Sequence, residues 1–145
     1  MQVRRVVTGH DEAGRSVAIV DDFAANATSR RSGHDSRLIW TTDGGTPPNE
    51  GNEDAGAREV GRPPPGGGTI FRVIELQPDQ ELEMHRTATI DYVVMIEGEM
   101  NLVLDESEIP LRPGDCLVQR GTNHAWRNTG DRPCRFAAVL VDAPG

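Results

Sequence analysis

A chain of 145 residues is one domain by the usual size prior, and long enough to bury most of the surface its unfolded form exposes. Its net charge of −8 and isoelectric point near 4.9 argue against a general binder of phosphate backbones. No stretch reaches the apolar length of a membrane span and no basic-then-apolar leader precedes the first strand, so neither nucleic acid nor membrane is an expected partner and the cytoplasm is the expected compartment.

In chain order the punctuation is that of an all-β protein. Val3 to Thr8 and Ser16 to Val20 flank a loop with turn chemistry at both ends and read as a hairpin. Residues 21 to 36 are polar and small, and Arg37 to Thr42 gives another short strand. Thr46 to Gly68 is rich in Pro, Gly and Glu and too long for an ordinary connection, so it reads as a mobile segment or a functional lid. From Thr69 strands follow quickly: Ile70 to Leu76, Glu81 to Arg86, Asp91 to Ile96, Met100 to Leu104 and Glu108 to Leu111. Asp115 to Gln119, His124 to Arg127 and Arg135 to Val141 complete the series. Short strands with Gly and Pro turns and no helical periodicity predict a sandwich or barrel. No helix and no internal repeat is predicted. Cys116 and Cys134 fall in apolar strand-like runs and read as buried, reduced thiols. Phe71 and Phe136 read as core, while His10 and His34 lie in loops without partner spacing and read as solvated.

Two segments carry the chemistry. The first runs from His85 through Thr87 and Asp91 to Gly98, and the second from Gly114 through Gln119, Gly121 and His124 to Asn128. They resemble the two signature motifs of the cupin superfamily, small β-barrels that hold a metal or a small molecule inside the barrel. The first motif of that family is His, any residue, His, three residues, Glu, six residues, Gly. The spacing is kept here, with Thr87 for the second His and Asp91 for the Glu. The second motif keeps both glycines, His124 and Asn128, but Gln119 stands where Pro is usual and the run before it is one residue short. The resemblance covers roughly residues 68–142. It implies a single domain over 1–145, a cupin-type jelly-roll β-barrel of two antiparallel sheets, with N-terminal strands and the long loop over 1–67.

Side chains alternate across a strand, so His85 and Thr87 face one side, and Asp91 leads the next strand. Two imidazoles and a carboxylate, His85, Asp91 and His124, form a set suited to one divalent metal (Fe, Zn, Mn or Ni). A hydroxyl at Thr87 is a poor ligand, and Asp91 is one methylene shorter than Glu. The same three residues without metal make an acid–base group, since imidazoles titrate near neutrality and a carboxylate orients one of them. His124 is the residue both mechanisms require. Expected substrate contacts are Thr87, Gln119, Trp126 (whose position tends to face the interior in cupins) and Trp40, which either caps the cavity or anchors its strand. The sequences around His85, Asp91 and Gln119 to Trp126, and the opening Thr8 to Asp11, resemble a subset of single-domain cupins from bacteria and fungal biosynthetic clusters. Those proteins are usually described only as cupin-domain proteins, oxidoreductases or dehydratases, which implies small-molecule metabolism.

Two functions therefore stay open. One is a lyase or oxidoreductase acting on a small oxygenated compound; dehydration and decarboxylation are its other forms. The other is a non-catalytic binding or structural cupin that has lost its metal. A homodimer through the N-terminal strands is also expected, because Tyr92, Val94 and Ile96, opposite Asp91, are largely apolar and a strand apolar on both faces must be covered on both.

Overall fold

The computed structural model describes residues 1–28 and 31–145. The polar connection expected over 21–36 thus contains two residues, 29 and 30, that lie outside the described residues.

Among the described residues ten strands form three antiparallel sheets. A hairpin, β1 (Arg4–His10) and β2 (Ser16–Phe23), pairs only with itself among the described residues. β2 outlasts its expected end because Asp21 and Asp22 are held across the ladder by Arg4 (2.9 Å) and Arg5 (3.0 Å). The main sheet takes β3 (His34–Thr42), β4 (Thr69–Leu76), β10 (Cys134–Asp142), β5 (Thr89–Glu97) and β8 (Cys116–Arg120), in that order. A smaller sheet, ordered β7 (Glu108–Leu111), β6 (Met100–Val103), β9 (Ala125–Arg127), faces it. The core lies between the two: Leu38, Ile70, Met95, Phe136 and Leu140 come from the large sheet, Met100, Leu102 and Leu111 from the small one. This is the all-β barrel that the strand spacing predicts, with the two facing sheets of the jelly roll that the resemblance implies.

Period-two alternation decides what each strand buries. In β5, Asp91, Val93 and Met95 point inward while Tyr92, Val94 and Ile96 point out. In β10, Phe136, Ala138 and Leu140 point inward. The β5–β6 turn needs its glycine: Gly98 has φ 76°, and a Cβ there would lie 2.9 Å from Cys134 Cα.

Four expectations need correction. Glu81 to Arg86 is not a strand; its ladder contact is one bridge, His85 with His124, because β9 is only three residues long and offers no further rung. The loop over 46–68 is packed down. A short 3-10 turn, Ala55–Ala57, is capped by Asp54, whose carboxylate accepts from Gly56 N (2.9 Å) and receives Arg5 at 2.7 and 2.8 Å. Asn26 Nδ2 donates to Gly56 O and Arg58 O, and Arg72 donates to Gly61 O and Arg62 O, so residues 54–62 of the loop are tied to the barrel while 46–53 lie exposed. Phe71 is not core but lies on the outer face of the main sheet, and Cys116 is exposed on that same face beside Val94. Cys134 is buried, and neither cysteine is in a disulfide. Among the described residues no helix is long and apolar enough to cross a membrane.

Candidate functional site

A cavity of about 290 Å³ opens inside the barrel. That is the lower end of the range for small-molecule sites. His85, Thr87, Asp91, His124 and Trp126 all line it.

The two imidazoles are held by the single bridge between their backbones. His85 N donates to His124 O and His124 N donates to His85 O, both at 2.9 Å, and the rings lie 4.2 Å apart between centroids. His85 Nδ1 is 2.9 Å from Glu83 O and His124 Nδ1 is 2.8 Å from Thr122 O. A carbonyl only accepts, so each Nδ1 carries the proton and donates it, leaving Nε2 as the ring nitrogen available to the cavity. Backbone carbonyls two residues upstream thus fix the tautomer of both rings. His124 is buried, and burial pushes its pKa down to about 4, with the nearby His85 acting in the same direction and the bond to Thr122 O opposing. At neutral pH His124 is therefore an uncharged acceptor.

Asp91 is buried at the head of β5, between Leu140 of β10 and Gln119 of β8 in register. Burial raises its pKa, against the opposing influence of Thr89, His85 and Arg72, and among the described residues its Oδ1 has no hydrogen-bond partner of ordinary geometry. Behind the histidines Trp126 meets His124 edge-on, with centroids 5.2 Å apart, and leans on Phe136 at 5.1 Å. These two rings give the cavity an apolar wall.

The expected three-ligand metal set is not assembled. Among the described residues no group of three or more His, Cys, Asp or Glu side chains comes together to hold an ion. Two imidazoles converge, but Thr87 supplies a neutral hydroxyl where a third strong donor would be needed. The residues present do not fit a mononuclear site of the expected type, and no step below passes through a metal.

Two expected substrate contacts lie elsewhere. Trp40 is paired with Phe71 on the outer face, because a bulge between Leu38 and Trp40 reverses the parity of β3 and turns Thr41 inward in its place. Gln119 is buried and accepts from Thr122 Oγ1 (2.8 Å), bracing the turn before His124 rather than lining the cavity.

Among the residues that line it without having been expected are four basic side chains: Arg31, His34, Arg62 and Arg72. His34 is not a solvated loop residue; it opens β3 and pairs with Leu76. Burial, and then the charges of Arg31, Arg72 and Arg62, hold its pKa below the usual imidazole range. Arg72 could have been found from alternation, since it sits in β4 between Ile70 and Ile74, on the inward parity. Arg31 and Arg62 carry no such signal, because loops bring them there.

Residues 72–141 match the cupin domain family. Over 151 aligned positions the chain is 36% identical to a cupin-domain-containing oxidoreductase of Aspergillus ruber, covering 97% of this chain and 73% of that protein. It is 37% identical to phomopsin biosynthesis cluster protein C' of Diaporthe leptostromiformis, covering 86% of this chain and 69% of the relative. Among solved structures, a conserved protein of unknown function from Streptococcus pyogenes superposes with a TM-score of 0.52 at 15% identity, covering 80% of each chain, a likeness of fold alone. Sequence similarity over nearly its full length, the two motifs and the barrel together establish that this chain belongs to the cupin superfamily.

Proposed function

We propose that this protein is an enzyme of secondary metabolism acting on a small oxygenated organic compound by proton transfer within the barrel, a dehydration-type step that needs no electron acceptor. The observation that carries this is the pair of histidines, each with Nδ1 pinned to a carbonyl and Nε2 left for the cavity. His124, neutral through burial, accepts a hydrogen bond from a substrate hydroxyl. His85, 4.2 Å away between ring centroids, is its acid–base partner. Asp91 presents a buried carboxyl to the same cavity, and Thr87 and Trp126 bound the space in which the substrate lies. The relatives support the setting, small-molecule secondary metabolism: several are named cupin-domain-containing oxidoreductases, and others are named for fungal biosynthesis clusters. Two cysteines outside any disulfide accord with a reducing compartment such as the cytoplasm.

The test combines turnover with elemental analysis. Purified protein is incubated with metabolite extract from a host lacking the gene, and consumption of compounds is followed by mass spectrometry. His124→Ala lowers that consumption about a hundred-fold or more, the usual cost of losing an acid–base group. Metal content stays at background in the parent and rises in Thr87→His, which rebuilds the pair of first-motif histidines. Parent protein that consumes nothing and retains a ligand equally well as His124→Ala instead supports the second reading, a binding cupin with a lost metal. That reading is favoured by Thr87 standing where a ligand would be.

We further propose a homodimer. On the outer face of the main sheet Trp40, Phe71, Val139, Tyr92 and Val118 form one continuous register row. Tyr92 is 50% exposed and Val118 57%. The β1–β2 hairpin exposes Val6 and Phe23, and a lone two-stranded hairpin is marginal in water. One chain thus offers an uncovered apolar face and an uncovered apolar arm, which two-fold pairing with a second copy covers reciprocally.

A further inference from the structure

One part of the cavity wall is cationic. Arg31, Arg62 and Arg72 line it together with His34, whose Nδ1 is buried without a hydrogen-bond partner among the described residues. This concentration of guanidinium groups is found in a chain of net charge −8. Arg72 serves the fold by donating to the Gly61 and Arg62 carbonyls, but Arg31 and Arg62 are bound by a side chain that is itself half in solvent. Glu83 reaches Arg31 at 3.4 Å and Arg62 at 3.9 Å, with 54% of its side chain exposed. A carboxylate therefore already sits at this wall, between two planar forks that match its geometry.

Glu83 belongs to the segment from Gln77 to Ala88, whose ladder contact is the bridge at His85. Its backbone carbonyl is the group that accepts from His85 Nδ1. One residue thus spans the cationic wall with its side chain and fixes an imidazole with its main chain. Exposed ion pairs are individually weak, so an incoming anion displaces Glu83 at small cost.

Resting on the reading of this cavity as a small-molecule site, we infer that Arg31, Arg62 and His34 form a subsite for an anionic group of the ligand, a carboxylate or an equivalent oxyanion, which the Glu83 side chain fills until the ligand displaces it. The substrate class narrows accordingly to organic acids. The anion anchors at the arginines, and the rest of the molecule extends along Trp126 and Phe136 toward His85 and His124. Displacing Glu83 also acts on the carbonyl that orients His85, so occupancy of the subsite is sensed at the acid–base pair.

The probes are benzoate and its neutral isostere benzamide, titrated calorimetrically into the full chain, because the pair differs in charge and scarcely in shape. Benzoate binds the parent about ten-fold or more tighter than benzamide, the difference that one charged hydrogen-bonded contact supplies. Arg62→Gln removes that preference and leaves benzamide affinity unchanged. Glu83→Gln acts in the opposite direction: it tightens benzoate several-fold, because the competing carboxylate is gone, and leaves benzamide alone. A merely structural role for Glu83 would weaken both. Arg62 and Glu83 are both well exposed, and circular dichroism verifies that the variants are folded. His124→Gln retains the benzoate preference even where turnover is lost, so failure of the proposed reaction and failure of the anion subsite give different results. Equal affinity for the two probes, no binding of either, indifference of benzoate to Arg62→Gln, or weaker benzoate binding by Glu83→Gln would each overturn the inference.

Discussion

His124 links the site to stability in a way that can be measured. Its pKa lies near 4 in the folded chain against 6.5 for an ordinary imidazole, so between those values the unfolded chain binds more protons than the folded one. Stability therefore rises with pH across that window: the contribution is complete above about pH 6.5 and is lost as pH falls toward 4. Each pH unit inside the window is worth about 1.4 kcal/mol, so going from about pH 7.5 to pH 5 removes at most about 2 kcal/mol through this one residue. The perturbation is His124→Gln, which retains a polar side chain but does not titrate. The assay is urea unfolding followed by tryptophan fluorescence at the two pH values, for parent and variant. His34, also depressed by burial, and Asp91, raised by it, contribute to both proteins and cancel in the comparison. The parent loses about 2 kcal/mol more than the variant between the two pH values. Equal losses within about 0.5 kcal/mol, close to the reproducibility of linear extrapolation, would refute a buried, neutral His124.

Three further outcomes are expected. Asp91→Asn raises the unfolding midpoint at neutral pH, because it removes a buried charge whose Oδ1 lacks a partner, and the gain disappears in acid, where the parent carboxyl is protonated; thermal unfolding at pH 7 and at low pH checks the sign. Gly98→Ala destabilises by more than about 1 kcal/mol in the same measurement, since its φ of 76° disfavours a Cβ that would press on Cys134 at 2.9 Å. Static light scattering at micromolar concentration gives twice the 15.8 kDa chain mass, and Tyr92→Asp, placing a charge in the middle of the exposed apolar row, returns the mass of one chain; a parent that scatters as a monomer contradicts the dimer.

Much of the fold was legible in the sequence because strands report their environment locally. The alternation of Asp91, Val93 and Met95 against Tyr92, Val94 and Ile96 sets which face of β5 is buried without any knowledge of its neighbours. Glycines that the backbone requires, such as Gly98 with its positive φ, mark the turns between strands. Alternation put His85 with Thr87, and His124 with Trp126, on shared faces, the resemblance to cupins implied that those faces and Asp91 open inward, and all five line the cavity. Three things were decided only by tertiary structure. A one-residue bulge between Leu38 and Trp40 reversed the parity of the end of β3 and carried Trp40 to the outside, a shift that depends on its pairing with β4. Glu81 to Arg86 has a strand-like pattern but is not a strand, because strand formation needs a partner ladder and β9 is too short to supply one. The cationic wall joins Arg31 and Arg62 from loops to His34 and Arg72 from adjacent strands, across a sequence separation that no periodicity spans. Alternation fixes the direction of a side chain relative to its own strand; which side chains meet across the cavity depends on how the loops fold back over the barrel.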